Sequence, residues 1–196
     1  MAYFDWHGAP GYFRDITRHF PSQTRLLDLG CGSAWLGEHY PDYTGLDAST
    51  EAVEAAAKRG ITVIQGSVDE RLPFEDASFD GVVAKDLLEH VADPGAVVRE
   101  INRVLKPGGR VFASSPDAQK WVWNDYTHVR PFTRTGFRRL FTDQGMHPVT
   151  VGWESVAPGT SIIAGRLPSK RRPLPLRALA LLPFWRRNVW ILAEHR

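Results

Sequence analysis

The chain has 196 residues, of which 43% are hydrophobic and 23% charged, so its length and composition fit one ordinary globular domain. A single cysteine excludes an internal disulfide framework, and no CxxC pair is present to hold zinc. The first residues lack the basic region, apolar run and cleavage site of a secretory signal, and no apolar run approaches the roughly 20 residues that span a bilayer. We therefore expect a cytoplasmic protein.

The net charge of +2 hides an uneven distribution. From residue 156 to the C-terminus there are eight Lys or Arg residues and one acid, Glu194, so the preceding part of the chain is mildly acidic. A basic C-terminal portion on an acidic body predicts a contact with an anionic partner or surface.

Short β-rich runs alternate with helical patterns along the chain. Strands are predicted at RLLDLG, YTGLD, ITVIQG, FDGVVAKD and RVFASSP. The first clear helix, STEAVEAAAKRG, is capped by Ser49 or Thr50 and ends at Gly60, and DPGAVVREINRVLKPGG predicts a second helix capped by Asp93. A further helix follows at TRTGFRRLFTDQG and a strand at HPVTVGW. This alternation predicts a parallel sheet with right-handed crossovers.

The segment 156–187 is rich in prolines and basic residues and contains no acid. NVWILAEHR, which follows it, has the pattern of a closing strand. We interpret 156–187 as an insertion between the last two strands. In the competing interpretation TSIIAGR pairs with HPVTVGW as a hairpin and leaves a basic tail, but VWILAE is the better buried strand.

A turn with two glycines ends the first strand, in RLLDLGCGSAW. The carboxyl end of a parallel strand is where open α/β sheets bind nucleotide-like ligands. Glycine lets a ligand approach the bare backbone, and the helix expected after the turn would present unpaired N–H groups. The alternative is a tight strand–helix turn that binds nothing.

The residues around this turn discriminate between ligands. A dinucleotide motif needs a third glycine where this chain has Trp35, which argues against NAD. Asp28 precedes the glycines and suits a ligand with an ammonium group. Asp47 ends the second strand, where a carboxylate can accept hydrogen bonds from both hydroxyls of an adenosine ribose. Ribose together with an amino acid indicates S-adenosylmethionine (SAM).

Four ordered blocks, LDLGCG, LPF…SFD, LEHV and RVLKPGG, resemble the class I SAM-dependent methyltransferases and lie in three stretches of the sequence. The stretches are LLDLGCG at 26–32, LPFEDASFDGVVAKDLLEHV at 72–91 and INRVLKPGGRVF at 101–112, and the resemblance covers roughly residues 20–155. It implies an α/β, Rossmann-like sheet of strand order 3-2-1-4-5-7-6 with an antiparallel last strand and helices on both faces. A single methyltransferase domain over 1–196 is then expected.

The resemblance also implies which residues hold the cofactor. The expected cofactor residues are Asp28, Gly30, Cys31, Gly32, Asp47, Ala48, Ser67, Val68, Asp69 and Lys85. Two positions depart from the family pattern: Ala34 replaces the third motif glycine, and Ser67 stands where many relatives have an acid, so Asp69 is expected to reach the adenine amine. Residues 1–20 are expected to form either a lid over SAM or a plainly packed segment.

The acceptor is expected at WVWNDYTHVRPFT, after the fifth strand. Hydrogen-bonding side chains between aromatic neighbours suit a sugar, and the expected substrate residues are Trp123, Asn124, Asp125, Tyr126 and Arg130. His128 is the candidate general base, oriented by Asp125, because its pKa lies near neutrality. Asp86 is the second candidate. Alternatively His128 only pins the loop to the body, and His90 of LEHV is expected to be structural.

These residues predict an O-methyltransferase that uses SAM, without a metal, on a small-molecule, sugar-containing, or phosphate- or lipid-linked acceptor. The alternatives are a SAM-binding or S-adenosylhomocysteine-binding protein without methyl transfer, and a nucleic-acid methyltransferase. Nucleic acid is disfavoured because KDLL stands where a base-flipping NPPY motif is expected. An apolar helix within 156–187, flanked by basic residues, predicts a contact with an anionic membrane surface. The oligomeric state stays open.

Overall fold

The computed structural model describes residues 14–155 and 186–196. Seven strands form one sheet: β1 (Leu26–Leu29), β2 (Tyr43–Asp47), β3 (Val63–Gln65), β4 (Phe79–Lys85), β5 (Leu105–Pro116), β6 (His147–Ser155) and β7 (Arg186–Glu194). Their order is β3-β2-β1-β4-β5-β7-β6. The first five strands pair in parallel, and β7 is antiparallel to both of its neighbours. The predicted strand order and the antiparallel last strand are confirmed.

The central strands are buried on both faces, as their apolar sequences predict. All four residues of β1 are buried. In β4, Phe79 and the run from Gly81 to Ala84 are buried as well. Because neighbouring parallel strands end at the same edge, β1, β2 and β4 bring the glycine turn, Asp47 and Lys85 together there.

Within the described residues four α-helices accompany the sheet: α1 (Arg14–Thr17), α2 (Thr50–Ala57), α3 (Pro94–Val104) and α4 (Arg134–Asp143). The Ser49 hydroxyl accepts a hydrogen bond from a first-turn amide of α2, so Ser49, rather than Thr50, is the cap. The Asp93 carboxylate caps α3 in the same way, as predicted. The chain is already extended at Leu105, so α3 ends before the KPGG that the sequence pattern had included.

Two apolar clusters lie on opposite faces of the sheet. One contains the buried faces of α3 and α4, with Ile101 and Phe137 fully inside. The other contains α1, α2 and the segment after the glycine turn, including Ile16 and Leu36. Helices therefore cover both faces, as expected.

The glycine turn is not followed by the α-helix that we expected. Residues Trp35–His39 instead form a short 3₁₀ helix, preceded by Ala34 with a left-handed φ of 56°. A residue in this conformation does not propagate a right-handed helix, and alanine adopts it at a steric cost that glycine does not have.

The two segments with the least regular composition lie mainly outside the described residues. They are the predicted lid at 1–20 and the predicted insertion at 156–187. Of the lid, residues 14–20 are described, and Ile16 and Phe20 pack against the sheet. The closing strand was predicted correctly, since β7 pairs along its length with β6. No helix in the described part of the chain is long and apolar enough to cross a membrane.

Candidate active site

A cavity of about 710 Å³ opens at the carboxyl ends of β1, β2 and β4. Its size is typical of small-molecule sites, which range from roughly 300 to 1,000 Å³. Eight of the ten expected cofactor residues line it: Gly30, Gly32, Asp47, Ala48, Ser67, Val68, Asp69 and Lys85. The opposite side is lined by groups from LEHV and the predicted acceptor loop, so the cavity joins the two predicted half-sites.

The glycine turn needs glycine for both its conformation and its surroundings. Gly30 and Gly32 have φ values of +65° and +52°, a region that other residues adopt only at a cost. A Cβ atom at Gly30 would also lie 2.9 Å from the Cδ1 of Leu87. The turn therefore presents bare backbone to the cavity.

Asp47 lines the cavity and is held there by two backbone amides. Its Oδ2 accepts a hydrogen bond from the Gly32 amide at 2.7 Å, and its Oδ1 accepts one from the Ser49 amide at 2.9 Å. These two bonds fix the carboxylate at the cavity wall, and each oxygen retains lone-pair capacity for a further donor. The chemistry and placement of Asp47 fit a ligand with two adjacent hydroxyls.

Two of the expected cofactor residues lie behind the turn and do not line the cavity. Asp28 is buried, and its Oδ2 accepts a hydrogen bond from the Tyr43 hydroxyl at 2.8 Å. Burial, with a smaller contribution from the Asp47 charge, raises the pKa of Asp28 to about 7. The Cys31 sulfur packs against Gly45, and burial raises the pKa of this thiol far above its usual range, so the thiol is chemically inert.

The end of β4 provides a fixed pair of charges. The Lys85 ammonium lies 3.2 Å from the Asp86 carboxylate, which also accepts hydrogen bonds from Ser114 and Asn188, each at 2.9 Å. Asp86 itself has a left-handed φ of 51°. Its three partners come from β4, β5 and β7, so the sheet holds this carboxylate in place at the cavity wall.

Backbone hydrogen bonds dock the predicted acceptor loop, residues 121–133, on the LEHV turn, residues 88–91. The amides of Val129 and Arg130 both donate to the Glu89 carbonyl, at 2.8 and 3.2 Å. The Thr127 hydroxyl, in turn, donates to the Asp125 carboxylate at 2.6 Å. Segments separated by about 40 positions in the chain thus form one wall of the cavity.

Two histidines meet at this wall. His90 lines the cavity, and its ring lies 4.8 Å from the ring of His128, measured between centroids. The side chain of His128 is only 9% exposed and sits behind His90, with its Nε2 3.8 Å from the Asp125 carboxylate. Burial, followed by the neighbouring His128, lowers the pKa of His90. His90, expected to be structural, thus faces the cavity more directly than the predicted base His128.

Glu89 is a residue that the sequence reasoning missed. It is fully buried, and neither of its carboxylate oxygens has a hydrogen-bond partner among the described residues. Burial, with the nearby Asp86 charge, raises the pKa of Glu89 to about 8. The Ser115 hydroxyl, which lies close to the carboxylate without the geometry of a hydrogen bond, and the Lys85 charge act in the opposite direction. The available signal was an acid next to a histidine in a turn directly after a buried strand.

The expected substrate residues divide into two groups. Asp125 and Tyr126 line the cavity, and Tyr126 is 97% exposed at its mouth. Trp123, Asn124 and Arg130 are exposed and lie outside the cavity wall. The predicted loop is therefore at the site, although only part of it faces the enclosed space.

Residues 27–113 match the family described as "Methyltransferase domain". The ubiquinone biosynthesis O-methyltransferase of Proteus mirabilis is 34% identical over 109 residues, a match that covers 50% of this chain and 44% of that protein. The counterpart from Xanthomonas oryzae is 37% identical over 101 residues, which cover 46% of this chain and 42% of that protein. The chain thus spans less than half the length of these curated relatives.

A solved structure agrees over more of the chain. A SAM-dependent methyltransferase from Archaeoglobus fulgidus has a TM-score of 0.73 at 18% identity, covering 93% of this chain and 90% of that chain. At this identity the likeness shows the fold. Together with the family match, it makes SAM the expected cofactor, and the glycine turn and Asp47 are of the right chemistry to hold it. Residues 27–113 therefore match the methyltransferase-domain family, and the described part of the chain has the fold seen in a solved SAM-dependent methyltransferase structure.

Proposed function

We propose that the chain transfers a methyl group from SAM to a hydroxyl oxygen of a small-molecule acceptor. The observation that supports this most is the shared cavity, in which the Asp47 side adjoins the side formed by His90, Asp125 and Tyr126. The O-methyltransferase names of the curated relatives favour oxygen as the acceptor atom.

The cofactor half is assigned by its chemistry. Asp47 is proposed to accept the ribose hydroxyls, the bare turn at Gly30 and Gly32 to face the methionine portion, and Ser67 to Asp69 to flank the adenine. SAM supplies a methyl group on a positively charged sulfur, ready for attack by the acceptor. The protein's main task is then to align the acceptor oxygen with that methyl group.

The acceptor half removes the proton of the hydroxyl. His128 stays a candidate for this step, but it lies behind His90. We therefore propose that His90, His128 and Asp125, here called the activating wall, together accept the proton of the acceptor hydroxyl. His90 is suited to accept a proton near neutral pH because its lowered pKa keeps it uncharged there. Asp86 is the weaker candidate, since its oxygens are occupied by Lys85, Ser114 and Asn188.

The acceptor class is proposed from the mixture of groups at the cavity mouth. Tyr126 offers an aromatic face and Asp125 an acceptor for hydroxyls, which suits a sugar-containing molecule. Contact of segment 156–187 with an anionic membrane, or with a phosphate-linked acceptor, stays a prediction for residues outside the described ones. Flotation of the full chain with anionic vesicles tests the membrane version.

Replacement of Asp47 by Ala tests the cofactor half. We expect S-adenosylhomocysteine to bind the Asp47→Ala variant roughly thirtyfold more weakly, a loss of about 2 kcal/mol, because the ribose loses its charged acceptor. Isothermal titration calorimetry measures this affinity. The matched control is Asp143→Ala, an exposed carboxylate at the end of α4, which should bind like the wild type. Equal affinity in all three proteins would refute the assignment.

Transfer itself is tested with radiolabelled SAM and a panel of phenols, sugars and phosphorylated sugars. Labelled product from a hydroxyl compound supports the proposal. Tight cofactor binding without a labelled product from any class would favour the alternative of a SAM-binding protein that does not transfer methyl groups.

A further inference from the structure

We propose that Glu89, His90 and His128 form a binding site for a divalent transition metal at the acceptor side of the cavity. Each residue offers one ligand atom, and these three atoms lie within 4.8 Å of one another. Two imidazoles and one carboxylate are a donor set found in catalytic zinc sites and in those of other first-row metals. Neither composition nor cysteine spacing predicts such a site, because its ligands are not cysteines.

The hydrogen bonds of the two imidazoles suit them to bind a metal. His128 Nδ1 lies 2.7 Å from the Val122 carbonyl, and His90 Nδ1 lies 3.3 Å from the Thr127 carbonyl. A carbonyl only accepts, so each Nδ1 carries the proton and each Nε2 keeps its lone pair. Metal-binding histidines are held in this way, with the second ring nitrogen donating to a carbonyl or carboxylate.

The carboxylate provides an independent observation. Glu89 is 0% exposed, and both of its oxygens lack hydrogen-bond partners among the described residues. Buried acidic groups are normally paired or bound to a metal. The Lys85 ammonium, whose charge acts on Glu89, forms its ion pair with Asp86. A cation bound by Glu89 and the histidines supplies the missing partner.

The site is open towards the acceptor. His90 and Asp125 line the cavity, so three protein ligands leave a coordination position on that side. This part of the inference rests on the proposed function. An acceptor hydroxyl bound there loses its proton to water, and its oxygen then bonds to the methyl carbon as the bond from that carbon to sulfur breaks. The histidines act as ligands in this scheme, and the metal acidifies the hydroxyl.

Direct metal titration tests the site without requiring turnover. The untagged full chain is freed of metal with a chelator and titrated with Co²⁺ alone, followed by calorimetry and visible absorption, and the titration is repeated with Zn²⁺. We expect one ion per chain. Binding should weaken at least tenfold in Glu89→Gln and in His128→Ala. His147→Ala, which removes an exposed histidine of β6, should bind like the wild type.

Glu89→Gln keeps the shape of the side chain and cannot act as an anionic ligand, so it is expected to fold without binding the metal tightly, and a thermal melt checks the folding. No stoichiometric binding by the wild type, or undiminished binding by Glu89→Gln, overturns the metal site. Titration of the chelated protein with S-adenosylhomocysteine separates the two proposals. Cofactor binding without metal binding refutes the metal site and leaves the proposed function standing, whereas absence of cofactor binding refutes the proposed function.

Discussion

At the scale of single residues, the same kind of side chain plays different parts according to its surroundings. Asp47 is fixed by two amides at the cavity wall, while Asp28, on the neighbouring strand β1, is buried against Tyr43. Glu89 is buried without a partner among the described residues. The sequence predicts Asp47 because its position depends only on strand ends and spacing. The sequence does not predict the burial of Glu89, because that burial depends on a loop about 40 residues later in the chain.

The pKa of Asp28 makes its contribution to stability depend on pH. The folded pKa of about 7 exceeds the ordinary value of 3.8, so the folded state favours the protonated form. Below pH 4 both states are protonated and the effect vanishes. As the pH rises from 4 to 7, the unfolded state releases its proton first, and the folded protein loses up to about 4 kcal/mol of stability.

Asp28→Asn removes this titration and retains an acceptor for the Tyr43 hydroxyl. We expect the unfolding free energy of the variant, relative to the wild type, to increase between pH 4.5 and pH 8 by a substantial part of this amount. Urea denaturation at both pH values measures it. Asp42→Asn, at an exposed residue directly before β2, is the control. Equal pH profiles for Asp28→Asn and the wild type would contradict the interpretation.

His128 is expected to matter for turnover and not for cofactor affinity. His128→Ala removes either a proton acceptor or a metal ligand from the activating wall, so turnover should fall by roughly 10²-fold or more. The affinity for S-adenosylhomocysteine should stay nearly unchanged, because Asp47 and the glycine turn are untouched. His147→Ala serves as the control. Unaltered turnover in His128→Ala would assign this histidine to pinning the loop.

At the scale of elements, the site depends on how the acceptor loop docks on the LEHV turn. The sequence identifies both segments, since each follows a strand that ends at the same edge of the sheet. It does not show that the Val129 and Arg130 amides share the Glu89 carbonyl. Nor does it show the 3₁₀ helix after the glycine turn, because the left-handed φ of Ala34 is unusual for alanine.

Val129→Pro removes one of these docking amides, and Val129→Ala retains it. The proline variant should lose about 1 kcal/mol of stability, and amides of the loop should exchange with deuterium faster than in the alanine variant. Hydrogen exchange followed by mass spectrometry measures the difference. The amides around Asp47 should exchange at the same rate in both variants. Equal protection of the loop in the two proteins would show that the backbone bonds do not hold it.

At the scale of the whole molecule, the last strand in the sequence lies inside the sheet. β7 pairs with β5 on one side and β6 on the other, so the sheet is continuous only when the end of the chain is in place. The strand order is implied by the family resemblance, and the observed strand pairing confirms it. The sequence does not predict the path of 156–185, because a proline-rich basic segment lacks the apolar periodicity that marks the strands and helices.

Two neighbouring residues of β7 connect this strand to both apolar clusters. Ile191 belongs to the cluster that contains α3 and α4, and Leu192 to the cluster on the other face. Truncation of either to alanine leaves a cavity in a buried layer, so each should cost about 2–5 kcal/mol of unfolding free energy. Glu194→Gln, which affects only an ion pair with Arg110 near the surface, should cost less than about 0.5 kcal/mol.

Because both clusters share the seven-stranded sheet, they should unfold together. Circular dichroism and tryptophan fluorescence should therefore report one coincident urea transition in Ile191→Ala and in Leu192→Ala, shifted by similar amounts. A transition that splits in one variant but not in the other would show that the two faces unfold separately. In that case the cavity, which rests on residues from strand ends throughout the sheet, would depend on one face more than on the other.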